Sequence, residues 1–218
     1  MGTRKATNID KEMGNVVLVE VFQVNCLGCF TYGIPQAIDM YMKYRESGLN
    51  VLGLATAFED FDKNTLENLK LLLATRQVIG EPSRVLSEYG LLRPGNKLSY
   101  KIPFPVGMDK LFTFGPLTHD KVMDFIEANI PDFRSYVEKD RESAYTEVKQ
   151  YLKQKQFSAK TFEDYGLRGT PSAILIDKNG VLRQLTAKMC ITTHEVGRLN
   201  ENVAPLPSVL LLAHILPP

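Results

Sequence analysis

A chain of 218 residues lies just above the usual size of one domain, so it is either one large domain or one domain with a substantial insertion. With 44% hydrophobic and 23% charged residues it can bury a full core, which excludes a disordered polymer. Its 26 basic residues nearly cancel its 25 acidic ones, and a formal charge of +1 gives no reason to expect nucleic acid or an anionic membrane as a partner.

Residues Val16 to Val24 (VVLVEVFQV) form an almost unbroken, β-branched-rich apolar run, the pattern of a central strand covered on both faces. Cys26 follows it. From Phe30 to about Ser47, apolar Ile34, Ala37, Ile38, Tyr41 and Met42 recur at helical spacing, and Gly48 supplies a stop. Leu49 to Thr56 (LNVLGLAT) reads as a second buried strand. A strand, helix, strand order with a right-handed crossover makes the two strands parallel.

Leu66, Leu69, Leu72 and Leu73 mark a further helix, and a shorter one is expected over Ser83 to Tyr89. Two prolines confine Ile102 to Val106 (IPFPV) to a strand edge or an extended loop. Val122, Phe125, Ile126 and Ile130 predict one helix. A second is expected after Pro131, with Phe133, Tyr136, Val137, Tyr145, Val148, Tyr151 and Leu152 on one side. Tyr165 to Leu182 (YGLRGTPSAILIDKNGVL) then reads as a turn, a strand, a tight Lys-Asn-Gly turn and another strand. Thr192 and Glu195 form a capping box that opens a C-terminal helix.

No run of about 18 apolar residues is present to cross a membrane, and the opening MGTRKATNID lacks the apolar stretch of a signal peptide. The expected compartment is the cytoplasm, or the periplasm if a signal peptide has been trimmed away.

Three cysteines are too few for a disulfide framework in a chain this long, and Cys26 and Cys29 form a CxxC pair. The same spacing serves half a zinc site, but zinc needs two more ligands. Cys190, His119, His194 and His214 show no ligand spacing, so no metal is expected. An inert buried pair is the other bland reading. Placement favours redox chemistry: the pair follows a buried strand and opens a helix within a βαβ unit. There Cys26 faces the unsatisfied N–H groups and positive dipole end of the helix, which favour a thiolate nucleophile. Cys29, one turn into the helix, is the buried partner that attacks the mixed disulfide and releases the reduced substrate.

Two stretches, GNVVLVEVFQVNCLGC at residues 14–29 and YGLRGTPSAILIDKNGVL at residues 165–182, resemble the thioredoxin-like superfamily, and within it the TlpA-like thiol-disulfide reductases. With GLNVLGLAT and IPFPVGMD between them, the resemblance covers roughly half the chain. It implies an α/β thioredoxin fold, a central mixed β-sheet flanked by helices, with a mainly helical insertion over residues 110–160 before a cis-proline loop. Thr170 and Pro171 match the family's Thr and cis-proline, which pack beside the dithiol; with Leu27 and Gly28 they form the expected substrate-binding surface. Glu20 lies where thioredoxins have a buried aspartate. A carboxylate in so apolar a strand is desolvated, which raises its pKa and makes it a candidate proton acceptor for Cys29. The bland alternative is a strand-edge Glu20 that reaches solvent.

The sequence also departs from the family. Val24-Asn25 stands where a tryptophan usually precedes the first cysteine, and the chain has no Trp. Leu27-Gly28 lacks the common proline between the cysteines. Pro35 falls one residue later than in thioredoxin, which predicts a distorted or redrawn start to that helix. The insertion is read as a lid or partner-selecting surface, or as a stabilising appendage whose aromatic stripe packs onto the sheet. Cys190 is expected to be a buried spectator far from Cys26, His194 a polar first-turn residue, and VEKDRES a solvated helix face.

The expected function is dithiol-disulfide exchange with protein or small disulfide substrates, in the reductase direction. It needs no cofactor beyond the Cys26–Cys29 pair, and its electrons come from an unidentified donor. A peroxiredoxin-type thiol peroxidase is the second reading; such enzymes place a Thr three residues before the attacking cysteine, and Gln23 stands there instead. A non-catalytic thioredoxin-fold module presenting the insertion to a partner is the third.

Overall fold

The computed structural model describes residues 9–155, 157–186 and, as backbone, 214–216. In chain order the elements are β1 (Val16–Phe22), α1 (Ile34–Tyr44), β2 (Leu49–Ala55), α2 (Leu66–Thr75), α3 (Gly80–Glu88), β3 (Leu92–Arg93), β4 (Lys97–Leu98) and β5 (Val106–Met108). They continue with β6 (Leu111–Thr113), α4 (His119–Asn129), α5 (Glu138–Gln154), β7 (Phe157–Ala159), α6 (Lys160–Asp164), β8 (Ser172–Ile176), β9 (Leu182–Thr186) and β10 (His214–Leu216). Leu111–Ser158 make one compact unit and the segments on either side make another.

The larger unit is a six-stranded mixed sheet in the order β10-β5-β2-β1-β8-β9. β1 pairs parallel to β2, as the crossover through α1 requires, and antiparallel to β8. All seven residues of β1 are buried, which is why the run carries no polar alternation. Val16, Leu18 and Phe22 belong to one core with Ile34 and Ala37 of α1 and Leu69 and Leu72 of α2. Val17, Val19 and Val21 belong to the other, with Ile174, Ile176, Tyr165 and Leu167. The chain leaves α1 through a short 3₁₀ turn and stops at Gly48, whose φ of +87° a side chain would resist. Thr65 opens α2 by accepting a hydrogen bond from the Asn68 N–H.

Several expectations need correction. Of the two readings of Ile102–Val106, the loop holds for residues 102–105, while the strand edge does not: β5 begins at Val106 and is flanked by both β2 and β10. Its prolines sit in the lead-in, where the missing N–H costs the ladder nothing, while the Pro105 carbonyl still accepts from Gly53. α3 starts at Gly80, earlier than expected, with Pro82 inside its first turns, where proline is tolerated.

In the smaller unit the helix expected after Pro131 is broken. Asp132 takes a left-handed φ of +57°, Phe133–Ser135 form a 3₁₀ turn, and Tyr136 and Val137 are extended before α5 begins. Only Leu152 of α5 is fully buried, and the unit's own core is Val122, Ile126, Phe133 and Leu152. Val137, 66% exposed, and Tyr151, 47% exposed, lie off the packed stripe that helical spacing assigned to them. The capping box at Thr192 and Glu195, together with Cys190 and His194, falls outside the described residues.

Candidate functional site

Cys26 and Cys29 are joined by a disulfide, with their Cα atoms 5.3 Å apart. Cys26 is half-buried and Cys29 fully buried, because the chain turns from β1 into a helix whose inner face belongs to the core. The Cys29 N–H donates to Cys26 Sγ at 3.1 Å. A sulfur placed on the free N–H groups of a helix start is held where negative charge is stabilised. Leu27, 39% exposed, and Gly28 lie between the two.

The loop before β8 lies against this turn. The Thr170–Pro171 peptide bond is cis. Pro171 Cδ sits 3.5 Å from where a Cβ on Gly28 would stand, and a Cβ on Gly33 would collide with both Pro171 Cβ and Glu20 Oε1. Gly33 is thus the close-approach point at which the helix, the loop and β1 meet. The Thr170 carbonyl oxygen is 3.7 Å from Cys26 Sγ. The Thr170 hydroxyl reaches two acceptors, Gln23 Oε1 at 3.3 Å and Cys26 Sγ at 3.6 Å.

Glu20 lies fully buried on the α1 face of β1, so the strand-edge alternative is set aside. Neither of its carboxyl oxygens has a hydrogen-bond partner among the described residues. Burial pushes its carboxyl well above the usual carboxylate range, so it tends to hold its proton.

Sequence reasoning missed a polar frame around the cysteines. The Asn25 N–H donates to Asn64 Oδ1 at 3.0 Å, Asn25 Nδ2 to Asp60 Oδ2 at 2.7 Å, and both Gln23 Nε2 and Asn64 Nδ2 donate to the Glu59 carbonyl. Asn25, where the family has tryptophan, thereby ties the cysteine loop to the turn after β2. Nothing in the local sequence announces Asn64 or Gly33, since each acts across the fold. The distortion at Pro35 was legible: residues Cys29–Gly33 form a π-helical turn before α1. Among the described residues no group of three or more His, Cys, Asp or Glu is placed to hold a metal ion.

No family model matches the chain, and no curated protein matches it. Among solved structures, it is similar to a thioredoxin-like superfamily protein at 25% identity and a TM-score of 0.53, over 93% of this chain and 91% of that one. It is also similar to a thiol-disulfide isomerase from Corynebacterium glutamicum at 26% identity and a TM-score of 0.51, over 92% and 90% of the two chains. Sheet order, helix-opening CxxC and these likenesses define the class: a thioredoxin-like α/β protein with a CxxC disulfide. The resemblance read from residues 14–29 and 165–182 pointed to this same class.

Proposed function

We propose that the protein is a thiol-disulfide oxidoreductase that reduces disulfides in protein substrates, with Cys26 as nucleophile and Cys29 as resolving thiol. The observation that carries this reading is the half-buried Cys26 bonded to a fully buried Cys29 at the start of a helix, beside the Thr170–Pro171 loop. In the reduced protein the Cys26 thiolate attacks one sulfur of a substrate disulfide. One S–S bond breaks, a Cys26–substrate bond forms, and the leaving thiolate takes a proton. Cys29 then gives up its proton and attacks Cys26 Sγ; the internal disulfide closes and the second substrate sulfur leaves as a thiol. Two electrons and two protons have passed to the substrate, and a separate donor must restore the dithiol.

Glu20 is the proton acceptor for Cys29 in this reading. Burial raises the Glu20 pKa above the usual carboxylate range, so its ionised form is a stronger base than an exposed carboxylate, and that form takes the Cys29 proton. Leu27, Gly28, Thr170 and Pro171 make the surface on which an extended substrate chain lies. Gln23 supports this reading over a peroxidase, because its amide is engaged with Thr170 and Glu59 where a peroxidase needs a hydroxyl. No helix among the described residues is long and apolar enough to cross a membrane, and we place the activity in the cytoplasm or, for an exported form, the periplasm.

Equilibration in a glutathione or dithiothreitol redox buffer, read by alkylation and mass spectrometry, tests this directly. A cooperative two-electron transition is expected. A potential near about −270 mV supports a reductase, and one near about −120 mV reverses the direction to an oxidant. If Cys26 and Cys29 never equilibrate as a pair, the oxidoreductase reading fails.

A further inference from the structure

The turn that carries Cys29 contains a carbonyl its own helix cannot satisfy. The Ile34 N–H donates to the Cys29 carbonyl, five residues back. In that register the Phe30 carbonyl takes its proton from residue 35, and residue 35 is proline, which has none to give. The proline ring also clashes with the carbonyl four residues before it, which favours the wide turn over a regular α-helical one. The Phe30 side chain is buried in the main core, so the neighbouring backbone is largely shut off from solvent.

A residue 70 positions along the chain supplies the missing donor: the Tyr100 hydroxyl donates to the Phe30 carbonyl at 2.7 Å. Tyr100 is itself firmly placed. It follows the β3–β4 hairpin, which is tied to the exit of α2 by Leu98 N–H to the Arg76 carbonyl and Val78 N–H to the Asn96 carbonyl, each at 2.9 Å. Its ring packs against the same core as Cys29 and Phe30. Burial pushes the phenol above its ordinary range, so it remains a donor at any working pH.

We infer that Tyr100 is a positioning residue for the dithiol: its hydroxyl completes the wide turn of Cys29–Gly33 in place of the N–H that Pro35 lacks, and so keeps Cys29 aligned on Cys26. The kinetic part of this inference rests on the proposed thiol-disulfide exchange; the structural part does not. Attack of Cys26 on a substrate depends on access to its half-buried side chain. Closure by Cys29 is an intramolecular step whose rate depends on alignment. In that step the Cys29 thiol loses its proton, its sulfur bonds to Cys26 Sγ, and the Cys26–substrate bond breaks to release a substrate thiolate that takes up a proton. A loosened turn slows this step and spares the first.

The test compares wild type, Tyr100→Phe, and Tyr100→Phe combined with Pro35→Ala, which gives residue 35 an N–H. Amide hydrogen exchange on the oxidised proteins reads the turn at Gly33 and Ile34. Single-turnover mixing of the reduced proteins with 5,5′-dithiobis(2-nitrobenzoate) reads the chemistry, its first thiol release reporting attack by Cys26 and its second reporting closure by Cys29. Tyr100→Phe is expected to lose protection at Ile34 and to slow closure about ten-fold with initial attack unchanged. The double variant recovers both. Wild-type protection at Ile34 in Tyr100→Phe, equal slowing of both steps, or no recovery in the double variant overturns the inference. If the wild type itself shows no second release, the functional reading falls, and amide exchange alone still decides whether Tyr100 holds the turn.

Discussion

Replacing Glu20 by glutamine removes a titratable group and keeps its shape. Gly33 and Pro171 close on the Glu20 carboxyl, and its strand neighbours on the same face, Leu18 and Phe22, are apolar; among the described residues no hydrogen-bond partner offsets its burial. Its pKa therefore lies well above the ordinary 4.5. The folded protein keeps a proton there that the unfolded chain releases once the pH exceeds 4.5, so folding stability falls as pH rises from that value. The fall continues until the pH passes the folded-state pKa, with a slope of about 1.4 kcal/mol per pH unit inside the window. The oxidised protein is the right sample, because bonded cysteines add no titration of their own.

Urea unfolding of the oxidised wild type and Glu20→Gln, measured from about pH 5 to about pH 9, isolates the Glu20 contribution as a difference, since the other ionisations are shared. The variant is expected to gain on the wild type steadily as pH rises, following that slope before levelling. A difference that stays flat across the range would refute the claim that Glu20 is held protonated. If the ionised fraction of Glu20 also accepts the Cys29 proton, the same variant slows closure by about 100-fold at a pH where part of the wild-type Glu20 is ionised.

Two further substitutions probe the neighbouring contacts. Gly33→Ala places a methyl group against Pro171 and Glu20 and is expected to cost about 1–3 kcal/mol in urea unfolding, as overpacking does; an unchanged midpoint means the loop does not close on the helix there. Thr170→Val removes the hydroxyl shared by Gln23 and Cys26, and the attack of Cys26 on a small disulfide should slow about ten-fold at neutral pH, the loss of one hydrogen bond to a charged acceptor. An unaltered rate assigns that hydroxyl to Gln23 alone.

Much of this architecture is legible one segment at a time. The unbroken apolar run of β1, the helical spacing of α1 ended by Gly48, the apolar run of β2 and the tight turn between β8 and β9 are each set by neighbours within about ten residues. The helix expected after Pro131 begins only at Glu138 for the same local reason: helical spacing counts apolar residues and takes no notice of a left-handed break at Asp132. Pro35 lay between these cases. Its position announced a distortion, while the form that distortion took depended on which group satisfied the freed carbonyl.

The site divides along the same line. Cys26 and Cys29 stood out by their short spacing and Glu20 as a carboxylate in an apolar strand at the position of the thioredoxin aspartate, whereas Thr170 and Pro171 were read through the family resemblance. Tertiary structure alone decided that Glu20 is buried against Gly33, that Thr170 reaches both Gln23 and Cys26, that Asn64 holds the cysteine loop, and that Tyr100 completes a turn 70 residues away. Spacing along a chain reports what neighbouring residues can form together. A hydrogen bond between distant segments exists only after the sheet has brought them side by side, so the partner that satisfies a buried polar group is chosen by the fold.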